Sequence, residues 1–219
     1  MHNSVQKYKD IISAIDIKLE EQKINFTPKV IAVSKTFELE KILPLIEYGH
    51  LDYGENKVQE AIDKWSEIKK KKQNIKLHLI GKLQTNKVKH AIKLFDYIHS
   101  LDSIKLAKKI AHEQLKQNKN LKLFIQVNIG NEEQKSGIKI DQIKDLITLS
   151  KQLNLNVIGL MCIPPANEEP EKYFKEIKFL NQKFNLKEIS MGMSSDYLKA
   201  VENSSTYLRI GSSIFGQRS

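Results

Sequence analysis

Lys29-Val30-Ile31-Ala32-Val33-Ser34-Lys35 reads as a buried strand: four consecutive apolar residues, three of them β-branched, entered through Thr27-Pro28 and running into a polar end. As the first strand of a parallel α/β sheet or barrel, it delivers Lys35 to the carboxyl end, where such folds put their chemistry. A partly desolvated lysine there can lose its proton near neutral pH and form a Schiff base with a carbonyl. Taken alone, Lys35 reads more simply as the point where a strand reaches the surface.

Outward from this strand the chain alternates. Before it, Val5, Tyr8, Ile11, Ile12, Ile15 and Leu19 repeat at helical spacing over residues 3–22. After it, residues 38–48 carry Leu39, Ile42, Leu43 and Ile46 and stop at Gly49. Strands are then expected at 51–54, 77–81, 97–99, 121–129 (the longest), 157–161, 188–191 and 207–210. Helices are expected at 57–70, 86–94, 104–115, 141–153, 169–184 and 197–201, with a short turn at 212–215. Eight strand-helix units imply a parallel sheet, and eight is the number that closes a barrel. No linker divides residues 1–219, so the expectation is a single (β/α)8 TIM barrel with an additional N-terminal helix. A doubly wound open sheet is the alternative.

Composition narrows the classes. The net charge of +10 invites a nucleic-acid reading, but the basic residues are mixed with 26 acidic ones. The dense run Lys69-Lys70-Lys71-Lys72 falls where a helix ends, which the helix dipole favours. No apolar run reaches the roughly 18 residues of a membrane helix, and Met1-His2-Asn3-Ser4-Val5 lacks the order of a signal peptide. The single cysteine, Cys162, has no partner for an internal disulfide, and no Cys/His spacing suggests a metal site. A cytoplasmic protein is expected, with no membrane and no nucleic acid among its partners.

In a barrel the site is built from residues just after each strand. Those positions hold Lys35; Glu55 and Asn56; Gly81 and Lys82; Ser100 and Asp102; Asn128; Gly192-Met193-Ser194-Ser195-Asp196; and Arg209, Gly211, Ser212 and Ser213. The loops after strands 7 and 8 are where barrels commonly bind phosphate, and both combine glycine with serine ahead of a helix start. Gly211-Ser212-Ser213 alone is equally an ordinary cap; two such loops facing a lysine ask for a ligand that pairs a phosphate with a carbonyl. Pyridoxal 5′-phosphate (PLP) has both. His78 reads as a hydrogen-bonded core histidine, Cys162 as a packed thiol, and Met191 and Met193 as space-fillers at the barrel mouth.

Ala32-Val33-Ser34-Lys35-Thr36, Tyr53-Gly54-Glu55-Asn56-Lys57-Val58-Gln59-Glu60 and His78-Leu79-Ile80-Gly81-Lys82-Leu83-Gln84-Thr85-Asn86-Lys87 resemble the pyridoxal phosphate homeostasis protein family. So do Ser100-Leu101-Asp102-Ser103, Val127-Asn128-Ile129, Gly159-Leu160-Met161, residues 191–196 and residues 209–216, in the family's order from residue 31 to 218. The resemblance implies a barrel of the alanine racemase type (fold type III among PLP proteins), with PLP as an aldimine on Lys35. It implies phosphate contacts at Ser194, Gly211 and Ser212, a further contact at Asn56, and Arg209 at either the pyridine nitrogen or the phosphate. Members are regarded as carriers or regulators of vitamin B6, generally without demonstrated catalysis. The implied function is PLP homeostasis, by buffering the cofactor or delivering it to apo-enzymes; a PLP-dependent amino-acid racemase is the alternative, and a monomer is expected. Eight units and a leading helix fill 219 residues, leaving no room for the second domain that racemases of this barrel type use.

Overall fold

A computed structural model describes residues 2–217; residues 1, 218 and 219, including the last position reached by the resemblance, lie outside the described residues. Eight parallel strands pair in sequence order and close, β1 pairing with β8. They are β1 (Lys29–Val33), β2 (Asp52–Glu55), β3 (Lys76–Leu79), β4 (Tyr97–Leu101), β5 (Lys122–Val127), β6 (Asn156–Cys162), β7 (Glu188–Met193) and β8 (Tyr207–Ile210). The helices are α1 (Asn3–Glu21), α2 (Leu39–Tyr48), α3 (Val58–Lys71), α4 (Val88–Leu94), α5 (Ile104–Gln117), α6 (Ile143–Gln152), α7 (Glu171–Lys183), α8 (Tyr197–Glu202) and α9 (Ser212–Phe215). The closed barrel with an extra leading helix is the expected architecture, and the open sheet is excluded.

Each long helix buries one stripe against the sheet. In α3, Val58, Ala61 and Trp65 are buried, whereas Lys69, Lys70 and Lys71 occupy the last turn, where cations suit the helix dipole. Helix α2 ends at Gly49, whose φ of +102° is the left-handed conformation that glycine adopts without penalty. Helix α1 buries Val5, Ile11, Ile15 and Leu19. It packs on α2, α8 and α9, sealing the outer layer where the last unit meets the first. None of the described helices is long and apolar enough to cross a membrane.

Three details differ from the sequence reading. Strand β1 ends at Val33, and Lys35 sits two residues further on, in a turn. Ser34 N–H still donates to the Gly54 carbonyl (2.9 Å), but Thr36 takes a φ of +67° and Phe37 N–H closes back on Ser34 O. The longest strand is β6, not β5. Strand β5 stops at Val127 because the Asn128 side chain clasps the backbone of Glu132, donating to its carbonyl (2.8 Å) and accepting from its N–H (3.1 Å). The helix expected at 86–94 opens as a 3₁₀ turn over Thr85–Lys87 before α4 begins.

Strands β6 and β7 approach so closely at Gly159 that a Cβ there would lie 1.8 Å from the Glu188 carbonyl oxygen. Gly159→Ala must push two backbones apart and should lower stability by about 1–3 kcal/mol or more. Thermal unfolding checks this, and an unchanged midpoint would contradict the packing described.

The barrel interior departs from the aliphatic layers usual in this fold. Ile31, Tyr97, Phe124, Met161 and Tyr207 form one buried cluster inside it. His78, His99, Ser190 and Arg209 are buried beside them.

Candidate functional site

The turn carrying Lys35 is clamped from behind. The Ser34 hydroxyl donates to Glu55 Oε1 (2.8 Å), as does Trp65 Nε1 (2.8 Å). Lys64 Nζ donates to Ser34 O (2.8 Å), to Glu55 Oε1 (3.0 Å) and to Glu60 Oε1 (3.2 Å), and Glu60 in turn accepts from Thr36 N–H. The residues on both sides of Lys35 are thus anchored to α3, leaving Lys35 half-buried at the mouth. Glu55 is fully buried, and burial raises its pKa against the lowering influence of Trp65, Lys64 and Ser34. It does not face the mouth, as its position after strand 2 had suggested. Side chains alternate across a strand, so Glu55 turns toward α3 and the next residue, Asn56, reaches the mouth.

Two adjoining lobes open at the carboxyl ends of the strands, sharing Lys35, Asn56, Ile80 and Ile163. The first, of about 410 Å³, also brings in Val33, Met193, Ser194, Arg209, Gly211 and Ser212. All six predicted site residues therefore line one cavity, in the size range of small-molecule pockets. The second lobe, of about 330 Å³, adds Gly81, Lys82, Gln126, Asn128, Gln134 and Lys135. Gly81 is needed there because a Cβ would lie 2.3 Å from the Asn56 carbonyl oxygen and 2.7 Å from its side chain.

The loops after β7 and β8 are joined through Ser194. Its hydroxyl oxygen accepts from Gly211 N–H (3.2 Å) and Ser213 N–H (3.3 Å), so hydroxyl and backbone donors converge on one corner of the first lobe. Below them, the Arg209 guanidinium donates to Ser190 Oγ (2.6 Å) and to the Cys162 carbonyl (2.8 Å). It is 4% exposed, and among the described residues no carboxylate forms an ion pair with it. A buried cation held only by neutral oxygens suits an anionic or acceptor-bearing ligand.

The remaining candidates are dispersed. Lys82 is exposed at the rim of the second lobe, and Asn128 lines the same lobe. Ser100 is buried in β4, and Asp102 faces a separate cavity with Asp145. His78 is a fully buried, hydrogen-bonded histidine, as expected. Burial pushes the Cys162 thiol up to about 12, consistent with a packed and inert group. Met193 lies at the mouth, but Met191 belongs to the core. Sequence reasoning missed the apolar walls Ile80 and Ile163, Gln126, and the Gln134–Lys135 segment. Only the last had a signal, a polar stretch following strand 5.

The model of the alanine racemase N-terminal domain family matches residues 15–219, which places this closed parallel barrel in that class. The likeness to alanine racemase from Clostridium difficile (TM-score 0.71, 15% identity, 94% of this chain and 57% of that one) is one of fold alone. Within that class, the chain belongs to the pyridoxal phosphate homeostasis protein family. It is 38% identical over 200 residues to the pyridoxal phosphate homeostasis protein of Aquifex aeolicus, covering 87% of each chain. It is also similar to the structure of PipY from Synechococcus elongatus with PLP bound, at a TM-score of 0.81 and 31% identity over 92% of this chain and all of that one.

Proposed function

We propose that this chain binds PLP in the lobe between Lys35 and the loops after β7 and β8. It serves PLP homeostasis by holding the cofactor and releasing it to apo-enzymes, without efficient turnover of amino acids. The observation that carries this reading is the gathering of an amine, a buried cation and a serine-glycine corner around one cavity. PLP supplies an aldehyde that a primary amine captures reversibly, together with a phosphate dianion. The donor set fits it: Lys35 provides the amine, the Ser194 hydroxyl and the Ser212 backbone provide donors for phosphate beside Gly211, whose own N–H rests on Ser194 Oγ, and Arg209 supplies positive charge beneath. Asn56 borders the same lobe as Lys35 and orients the ligand there.

The same cavity argues against racemisation. Inverting a stereocentre needs proton delivery on both faces of a planar carbon, hence a second acid-base group opposite the lysine. Among the described residues lining the two lobes there is no tyrosine, histidine, cysteine or carboxylate, and the further amines, Lys82 and Lys135, line the second lobe and not the one that holds Ser194 and Arg209. Incubating PLP-loaded protein with L-alanine and other amino acids, followed by chiral chromatography, tests this. Turnover at about 1 s⁻¹ or faster, lost in Lys35→Ala, would establish the racemase reading instead.

Each hydrogen bond lost to a charged group is worth about 1.5–3 kcal/mol, so Ser194→Ala should weaken PLP binding roughly ten- to a hundred-fold. Backbone donors survive side-chain removal, so Ser212→Ala should cost less than Arg209→Ala. Unchanged affinity in both Ser194→Ala and Arg209→Ala would overturn the assignment of the phosphate corner.

The reading includes a cytoplasmic monomer that engages neither membrane nor nucleic acid. In its support, outer-helix lysines sit beside carboxylates, as in Lys70–Glu67, Lys172–Glu168 and Lys175–Glu171. Such mixed faces are what solvated helices carry.

A further inference from the structure

A line of polar side chains crosses the barrel interior on five strands. Arg209 Nη1 donates to Ser190 Oγ (2.6 Å), which lies 2.8 Å from His99 Nδ1. His99 Nε2 lies 3.0 Å from His78 Nδ1, and His78 Nε2 lies 3.0 Å from Asp52 Oδ1. The three inner members are fully buried, while Asp52, the first residue of β2, has a side chain 19% exposed. Each imidazole is stacked on an aromatic ring, His78 on Tyr97 at 4.1 Å and His99 on Phe124 at 4.3 Å. An apolar, stacked setting disfavours a charged imidazole. Burial accordingly lowers the pKa of both histidines, His99 well below its ordinary value. Burial raises the Asp52 carboxyl, but the hydrogen bond from His78 and the charge of Lys29 lower it, and the net shift is down.

These partners leave one consistent arrangement of protons. A carboxylate only accepts, so His78 donates to Asp52 from Nε2 and, being neutral, accepts at Nδ1. His99 then donates from Nε2 and accepts at Nδ1. Ser190 donates its hydroxyl proton to His99 and accepts from Arg209. We propose that Asp52, His78, His99 and Ser190 form one proton-ordered relay, with every donor directed from Arg209 toward Asp52, and that this relay positions the Arg209 guanidinium beneath the lysine pocket. Asp196, in the loop after β7, is the carboxylate whose charge acts on Arg209, and among the described residues no ion pair covers the guanidinium. Asp52, His78, His99 and Ser190 are positioning residues that act through Arg209. Their effect on the cofactor rests on the PLP-binding reading, whereas the proton order does not.

The test uses the full chain labelled with ¹⁵N at histidine. Long-range proton–nitrogen correlation on the cofactor-free protein should show His78 and His99 each protonated at Nε2 and bare at Nδ1 across about pH 6 to 8. A proton on Nδ1 of either ring, alone or in an imidazolium, would overturn the relay. Asp52→Asn keeps an acceptor oxygen for His78 and should preserve both tautomers. Asp52→Leu removes the acceptor and should yield mixed tautomers at His99, with PLP affinity falling about ten-fold. Tautomers unmoved in Asp52→Leu would also sink the proposal, and if that variant does not fold, the wild-type rings decide. Ordered tautomers in a protein that fails to bind PLP would refute the binding reading alone. PLP bound with mixed tautomers would refute the relay alone.

Discussion

Replacing Lys35 with alanine is expected to abolish the visible absorbance band that covalent capture by the lysine gives the PLP-loaded protein, while leaving the fold largely intact. Lys35 occupies a turn beyond β1, half-buried. The turn itself is fixed by its neighbours, through Ser34 on Glu55 and Thr36 on Glu60. Truncating the side chain therefore removes the amine without removing the clamp, and the cofactor-free unfolding midpoint should stay close to that of the wild type. What remains in the lobe, Ser194, Arg209 and the Gly211–Ser212 backbone, can still hold a phosphate. Weak binding that lacks this band and is lost on dialysis is the expected phenotype. Retention of the visible band in Lys35→Ala would show that another amine serves.

The second large effect is on stability. Lys64→Met is expected to cost about 3–5 kcal/mol, because it strands a buried carboxylate without its cation. Glu55 has no exposed side-chain surface and Lys64 only 10%, so solvent does little to compensate. For a chain of this size, about 2–4 °C per kcal/mol gives a fall in unfolding midpoint of roughly 6–20 °C. The loss should depend on pH. Burial, against the opposing influence of Trp65, Lys64 and Ser34, already holds the Glu55 pKa above its ordinary value. A raised group contributes stability that is present below its unfolded pKa and lost as pH rises through the folded one. Without Lys64 the folded value rises further, so the deficit should be smaller at about pH 5 than at about pH 8. Differential calorimetry at the two values checks both size and sign. Equal midpoints for variant and wild type would mean that the Glu55–Lys64 pair contributes nothing to the clamp.

Much of this was legible in the sequence because periodicity reports which faces are buried. The apolar runs and the helical spacing between them placed every strand of the barrel within a few residues, and the residues after strands 1, 2, 7 and 8 named the lobe around Lys35. What escaped was anything that depends on side-chain direction or on distant partners. Glu55 and Asn56 are adjacent, yet one is buried toward α3 and the other lines the mouth. Where β2 ends decides which is which, and boundaries are the least secure part of a sequence reading. His78 was recognisable as a core histidine, but its line of partners was not. The decisive contact joins His99 to Ser190, 91 positions apart, and no local pattern encodes it. Gln134 and Lys135 reach the second lobe only because the loop after β5 folds back through the Asn128–Glu132 clasp.

The central claim is that the lysine beyond β1 is the one that captures PLP. Borohydride reduction of the PLP-loaded wild type, followed by proteolysis and peptide mass mapping, tests it most directly. The phosphopyridoxyl mass is predicted on Lys35 at close to one per chain and on no other lysine above background. Modification centred on Lys82 or Lys135 in the neighbouring lobe, or no covalent label in a protein that nonetheless turns yellow, would contradict the account.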